Sequence, residues 1–191
     1  MKKIIFTLIM LIGVTSSADI YMMFGGSKIN TKTDVSIDLF SDSQNIYSDK
    51  SNGEELYGSL GYSGNEGMMG LYYSLLNYKN KSIKRTYSCG AMIRANIRTF
   101  TDGITYPNIT PFIQVNVGYT EITTNDMYIR NIYGVEVNPS IGLSILATNN
   151  IQFDIGVGYK YKIFNNKIVM YNDSEFNQRD IDFSADLVLK F

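Results

Sequence analysis

The chain has 191 residues, the size of one ordinary domain. Its 17 Lys and Arg residues nearly balance its 18 Asp and Glu residues, so it lacks the basic surplus typical of nucleic-acid-binding proteins. It has no histidine and one cysteine, Cys89, which excludes a Ser-His catalytic relay, an intramolecular disulfide and a multi-cysteine metal site. Cys89 lies in an alternating stretch and is interpreted as a small apolar strand residue. No cofactor or metal site is expected.

Residues 1–18 have the pattern of a secretory signal peptide. Lys2 and Lys3 precede an apolar core from Ile4 to Val14, and the small residues Ser16-Ser17-Ala18 form a cleavage signal. The apolar core is shorter than the roughly 20 residues that span a bilayer as a helix, and no later apolar run reaches that length. We therefore expect an exported protein whose mature domain covers residues 19–191, and which is either soluble or crosses a membrane as strands.

From Ile20 onward, segments of about ten residues alternate between apolar and polar side chains, with turn-rich polar stretches between them. This period of two predicts β-strands, because successive strand side chains point to opposite faces. Eight strands are predicted. The less regular ones lie near 20–28, 55–63 and 68–78, and the clearest are YSCGAMIRANI (87–97), PFIQVNVGY (111–119), YGVEVNPSIGLSI (133–145), IQFDIGVGYKYKI (151–163) and DIDFSADLVLKF (180–191).

The connections predict how the strands are arranged. Long polar loops are expected at 29–54 and 165–178, with intermediate ones at 79–84 and 123–130. Short turns are expected at 64–66 and 147–150, and only the break at 101–108 departs from the alternation. An even number of antiparallel strands, with long loops at one end and short turns at the other, is typical of a membrane-spanning barrel. The predicted fold is therefore an all-β, closed, up-and-down transmembrane barrel of eight strands.

The polar face of the predicted strands carries charges of both signs, interleaved with Gly and Ser. If this face points inward, the charges can pair across the barrel. A symmetric last hairpin would place Lys160 opposite Asp182 and Lys162 opposite Asp180. In a soluble barrel the same side chains would be solvated surface charges. The predicted interior charges are Arg94, Arg98, Glu136, Asp154, Lys160, Lys162, Asp182 and Asp186.

Aromatic residues near the strand ends favour an apolar face that points toward lipid. Such residues form interfacial girdles in membrane barrels. In a soluble, lipocalin-like barrel with an apolar ligand inside, they would instead crowd the mouths, and this alternative stays open. The residues are Tyr87, Tyr119, Tyr133, Tyr159, Tyr161, Phe183 and Phe191.

Three segments, PFIQVNVGY, DIGVGYKY and SADLVLKF, resemble strands of the small eight-stranded outer-membrane β-barrels of Gram-negative bacteria, the OmpA-like and opacity-protein-like group. The resemblance implies location in the cell outer membrane and contact with its lipid. It also implies that the last strand is read by the outer-membrane assembly machinery. The hydrophobic positions of that assembly signal would be Phe183, Ala185, Leu187, Leu189 and Phe191.

The expected role is structural or surface-interacting rather than catalytic. Outer-membrane barrels that are enzymes rely on a histidine, which this chain lacks. Eight strands leave an interior that side chains fill, which argues against a wide pore, although a narrow gated pore stays open as an alternative. The long loops, rich in acidic and some aromatic residues, would display a surface for a host or envelope ligand.

Overall fold

The computed structural model describes residues 19–39, 42–64, 66–79, 83–97, 108–124, 132–164 and 174–191. These form eight antiparallel strands, and pairing of the last with the first closes a barrel, which confirms the predicted fold. In the described residues there is no helix that is long and apolar enough to cross a membrane. The strands are β1 (Asp19–Leu39), β2 (Asp42–Gly64), β3 (Gly67–Tyr78), β4 (Ile83–Asn96), β5 (Ile109–Thr124), β6 (Ile132–Leu146), β7 (Ile151–Phe164) and β8 (Ser174–Lys190).

The strands are inclined to the barrel axis. A path that starts at Met22 and steps from each residue to its partner on the next strand passes through Val137 on β6 and Arg179 on β8. It returns to β1 at Lys32. The circuit therefore advances by ten residues along β1. A stagger of this kind requires strands tilted by roughly 35–45°. Side chains on alternate positions of every strand consequently face either the lumen or the outside.

The two ends of the barrel differ in the connections that they carry. The chain ends of β1 and β8 lie beside the connections β2–β3, β4–β5 and β6–β7; we call this the turn end. Here the backbone amide of Phe191 donates to the carbonyl of Ile20 at 2.8 Å. The opposite end, which carries the other four connections, is the loop end. Residues 165–173 of the predicted last loop lie outside the described residues, as do residues 101–107 of the predicted break.

The prediction of a long loop at 29–54 was wrong. β1 continues to Leu39, β2 begins at Asp42, and these two residues pair with each other. Residues 30–34 and 48–54 contain no large apolar side chain, so the apolar–polar alternation by which strands are recognised is missing there. β8 follows β1 up to Ile37, whereas β3 ends at Tyr78. Three strands, β8, β1 and β2, therefore project beyond the rest of the loop end; we call this the three-stranded extension.

Candidate functional site

The outer surface of the barrel is an apolar belt. Leu71 is 71% exposed and Leu56 is 66% exposed, fractions at which a leucine contributes almost nothing to an internal core. Patches of this extent on a protein surface mark contact with lipid or with another protein. The belt passes around all eight strands, as its exposed members show: Phe24, Leu60, Leu71, Ile93, Ile113, Val117, Val137, Ile141, Ile155, Val157 and Phe183.

Exposed aromatic rings border the belt at both ends. Toward the loop end, the rings of Tyr119 and Tyr133 stack with their centroids 5.9 Å apart. Tyr62 and Phe153 lie exposed near the turn end. Rings at these two levels can place their apolar edges among acyl chains and, for tyrosine, their hydroxyls among headgroups. The distribution matches the interfacial girdles of membrane barrels.

The interior is polar and carries three buried ion pairs. Lys160 Nζ lies 2.5 Å from Glu55 Oε1, Lys162 Nζ lies 2.9 Å from Asp180 Oδ2, and Arg94 pairs with Asp154. The predicted cross-strand register was wrong for both lysines, although Lys162 and Asp180 do form an ion pair. Lys160 lies opposite Asp180, and Lys162 lies opposite Gln178, because the last hairpin is shifted by two residues from a symmetric loop.

Arg94 is the centre of a network near the turn end. Its Nε donates to Gln114 Oε1 at 2.9 Å, and its guanidinium carbon lies 4.0 Å from the centroid of the Phe112 ring. Gln152 donates to the other oxygen of Asp154 at 2.7 Å. Arg94 and Asp154 are thus both paired and hydrogen-bonded, which is the condition under which a low-dielectric interior tolerates charges.

Three further buried carboxylates receive neutral donors rather than cations. Glu136 accepts from the Tyr72 hydroxyl at 2.7 Å and from Ser88 at 2.8 Å. Asp186 accepts from the Tyr57 hydroxyl. The Asn138 amide donates to Asp182 at 3.2 Å. Among the described buried side chains, carboxylates therefore outnumber cations, and tyrosine, serine and asparagine supply the missing donors.

The lumen is closed by side chains. Ile29, Leu76 and Tyr78 form one apolar cluster toward the loop end. Tyr21, Met23, Met68, Met92 and their neighbours form another toward the turn end. An interior cavity of about 20 Å³ lies between them, beside Tyr57, Asn138, Lys160 and Asp182. This volume is close to that of one water molecule, so this cavity has no room for an apolar ligand.

Inward-facing glycines make this filling possible. A Cβ atom added to Gly25 would lie 2.8 Å from Tyr57 Cζ and even closer to Asp186, whose side chains occupy the space in front of it. Its neighbour Gly26 faces outward, and a Cβ there would meet nothing nearer than 3.4 Å. Glycine on the inner wall therefore provides the space that the long polar side chains need.

The predicted interior charges, apart from one, fall among the buried residues. Arg98 lies outside the described residues. The sequence pattern did not identify Glu55, Tyr57 or Tyr72 as interior partners. Glu55 was placed at the start of the predicted strand 55–63, directly after the predicted loop 29–54, so the sequence did not show that its side chain points inward. The interior positions of Tyr57 and Tyr72 were not recognised because tyrosine is common on both faces of a membrane barrel.

The residues of the predicted assembly signal lie along the outer face of β8. Phe183 is 58% exposed, and Phe191, which follows the last strand residue, is 67% exposed. The positions between them alternate with the inward-facing Asp186 and Val188. In the described part of the chain, no three Cys, Asp or Glu side chains are grouped as a metal site would require.

No protein-family model matches the chain, and no curated protein matches it in sequence. Several solved structures are similar to it. Neisserial surface protein A is 17% identical with a TM-score of 0.55, over 88% of this chain and 97% of that one. The outer membrane protease OmpT from Escherichia coli is 8% identical with a TM-score of 0.47, over 93% and 99% of the two chains. AlkL in lipid bilayers is 11% identical with a TM-score of 0.46, over 91% of both.

The closed sheet, the apolar exterior and the polar interior define a class of protein: a β-barrel that spans a membrane. A barrel satisfies every backbone group internally, which is what a strand needs in hydrocarbon. The chain has the fold of the small eight-stranded outer-membrane barrels. A fold does not by itself assign an activity.

Proposed function

We propose that the protein is an integral outer-membrane barrel with a non-catalytic, structural or surface-interacting role. Residues 1–18 would direct its export, and the last strand would direct its assembly. The observation that carries the proposal is the inverted distribution of side chains, with an ion-paired interior and an apolar belt outside. A filled lumen supports an anchoring barrel rather than a diffusion pore or a carrier of an apolar ligand.

The three-stranded extension supports a role in surface interaction. Ile29 pairs with Gly53 of β2, and Gly53 is the last residue of β2 that pairs with β3. β1 continues for ten residues beyond Ile29. At about 3.3 Å per residue, this is roughly 30 Å of strand beyond the end of β3, whereas on the other side β7 pairs with β8 up to Phe176, the partner of Val35. A paired sheet that projects from a membrane anchor offers exposed edges and faces to a host or envelope ligand. The loop end would face outward from the cell, because barrels of this type keep their short turns in the periplasm.

Membrane integration is tested by fractionating cells that express the full chain and comparing unheated with boiled samples by gel electrophoresis. We expect the protein in the outer-membrane fraction, resistant to carbonate extraction, with a mobility that changes on heating. Extraction into the soluble fraction without a heat-dependent shift would contradict the proposal and favour a soluble barrel.

Surface interaction is tested with a shortened variant in which residues 33–49 are replaced by an Asn-Gly turn. The barrel wall below the extension is unchanged, so the heat-dependent shift should remain. We expect intact cells carrying the variant to bind immobilised host matrix less than cells carrying the parent chain. Equal binding by both would remove the extension from the proposed role. Cells in which residues 125–131 are shortened serve as the matched control.

A further inference from the structure

Two buried oxygen atoms that accept no hydrogen bond lie close together in the lumen. Asn138 Oδ1 lies 2.8 Å from the point that a Cβ atom on Gly158 would occupy, and Asp182 Oδ1 lies closer to the same point. Neither oxygen has a donor, although the Asn138 amide nitrogen donates to the other Asp182 oxygen at 3.2 Å. Both residues are only 5% exposed. The protein therefore holds two acceptors side by side, away from solvent, with nothing of its own between them.

The glycine at position 158 brings these oxygens together. Gly158 on β7 pairs with Ser140 on β6 and with Asp182 on β8, and any larger residue there would occupy the space in which the oxygens lie. Asn138, Ser140 and Asp182 also line the interior cavity of about 20 Å³. The cavity adjoins both residues that carry the oxygens, and its volume suits one particle of the size of a water molecule.

Two neighbouring acceptors cannot satisfy each other, so a third species must lie between them. A water molecule could donate to both oxygens. A proton on Asp182 could be donated to Asn138. A cation in the cavity could contact both oxygens directly. These three occupants differ in the charge that they bring, and the charge of the lumen distinguishes them.

The described interior has a surplus of negative charge. Its buried charged side chains are six carboxylates against three cations: Glu55, Glu136, Asp154, Asp180, Asp182 and Asp186 against Arg94, Lys160 and Lys162. The three cations each pair with one carboxylate. Of the carboxylates left over, Glu136 and Asp186 accept from tyrosine hydroxyls, whereas Asp182 has one oxygen with no donor. A water molecule would leave the charge of Asp182 uncompensated in a low-dielectric interior, and a proton would not use the adjoining space.

The ligands around the cavity suit a cation of single charge. Besides the two unpartnered oxygens, the lining offers the hydroxyls of Ser140 and Ser184, so the ligand set is largely neutral. Calcium takes six to eight oxygen ligands, and magnesium keeps several waters, for which a cavity of this size has no room. Lys160 also lines the cavity, but its ammonium group is compensated by Glu55 at 2.5 Å.

We propose that the lumen binds one monovalent cation of the size of sodium, held by Asp182 Oδ1 and Asn138 Oδ1 beside the hydroxyls of Ser140 and Ser184. The cation is an internal counter-ion for the surplus carboxylates. The apolar clusters around Leu76 and Tyr21 lie on either side of the cavity, so the cation enters while the barrel closes. This inference goes beyond the proposed function and depends only on the interior of the barrel.

The test measures the stability of the full-length protein, refolded into detergent micelles, by urea titration. Sodium chloride is replaced stepwise by N-methylglucamine chloride, whose cation is too large for the cavity, so that screening by salt stays constant. A cation that binds only the folded state should lower the unfolding equilibrium constant about tenfold for each tenfold rise in sodium above its dissociation constant. In a double logarithmic plot we therefore expect a slope of about −1.

Two variants locate the site. Asp182→Asn keeps the size of the side chain but removes the ligand charge, and we expect the sodium dependence to disappear. Asp186→Asn is the matched control: it removes another buried carboxylate that has no ion pair, outside the pair of unpartnered oxygens, and should keep the slope of the parent chain. Equal slopes for the parent and Asp182→Asn would overturn the proposed site.

The parent chain alone also decides the question if a variant fails to refold. A slope near zero would show that a water molecule or a proton on Asp182 joins the two oxygens, and would overturn the proposal. Replacing sodium by calcium at the same ionic strength should abolish the stabilisation. A larger stabilisation by calcium than by sodium would contradict a site for a monovalent cation.

Discussion

Lys160 Nζ lies 2.5 Å from Glu55 Oε1, joining two strands from nearly opposite sides of the barrel. Both side chains are about 3% exposed. The contact crosses the lumen, because β7 and β2 are not neighbours in the sheet. Together with the pair between Arg94 on β4 and Asp154 on β7, it makes the interior a cross-link between walls that share no backbone hydrogen bonds.

Removing Lys160 should therefore be costly. Lys160→Met leaves the Glu55 carboxylate buried without its cation, and we expect the free energy of unfolding to fall by about 3–5 kcal/mol. Urea titration of the protein in lipid vesicles measures the change. The double variant Lys160→Met/Glu55→Gln should recover much of the loss, because no unpaired charge remains. Lys79→Met, which breaks the exposed pair with Glu54, should cost less than about 1 kcal/mol. Equal losses at the two sites would contradict the buried-pair explanation.

The lipid-facing direction of the belt gives a second prediction. Ile155→Arg places a charge near the middle of the belt on β7, and we expect a loss of about 2–4 kcal/mol in vesicles. Ile163→Arg introduces the same charge near the loop end of the same strand, where the expected loss is about 0–1 kcal/mol. Urea titration of both variants in vesicles measures the difference. If the two substitutions had the same small effect, the belt would not lie in hydrocarbon.

A third prediction concerns the inner wall. Gly25→Ala places a methyl group where the side chains of Asp186 and Tyr57 now lie. Overpacking of this kind costs roughly 1–3 kcal/mol. Gly26→Ala adds the same methyl group one residue further on, on the outer face, and should leave the stability nearly unchanged. Thermal shifts of the two variants in one detergent give the comparison, and a larger loss for Gly26→Ala would show that the inward packing is not limiting.

A fourth prediction separates an assembly signal from an interfacial anchor at Phe191. Phe191→Ser should lower the amount of heat-modifiable protein in the outer membrane several-fold while leaving refolding into detergent micelles nearly unchanged. Tyr62→Ser removes another exposed aromatic ring from the turn end and serves as the control. If the two substitutions reduce assembly in cells equally, Phe191 acts as an anchor and not as a recognised terminal residue.

The strands of the second half of the chain could be predicted well from the sequence. In β7 every second residue from Phe153 to Ile163 is apolar, and the polar residues between them face the lumen as expected. Alternation is visible there because one face meets lipid and the other meets polar side chains. Residues 30–34 of β1 and 48–54 of β2 contain no large apolar side chain, so the sequence shows no period there from which to recognise a strand.

The interior pairs were less predictable than the interior itself. That Lys160 and Lys162 point inward follows because they alternate with Tyr159 and Tyr161 on the apolar face. Their partners depend on the register of a hairpin whose turn geometry the sequence does not reveal. The partner of Lys160, moreover, comes from β2, more than 100 residues earlier in the chain. Contacts across a lumen are set by tilt and stagger together, and neither can be read from one strand.

The pairing of β1 with β8 makes closure depend on the two most distant strands. Until β8 is in place, β1 presents a row of unsatisfied backbone groups, which hydrocarbon does not tolerate. A chain that has inserted only its first seven strands is therefore an open sheet with two reactive edges, prone to pair with another copy. Between the insertion of β1 and the insertion of β8, the chain is therefore most prone to associate with other copies of itself.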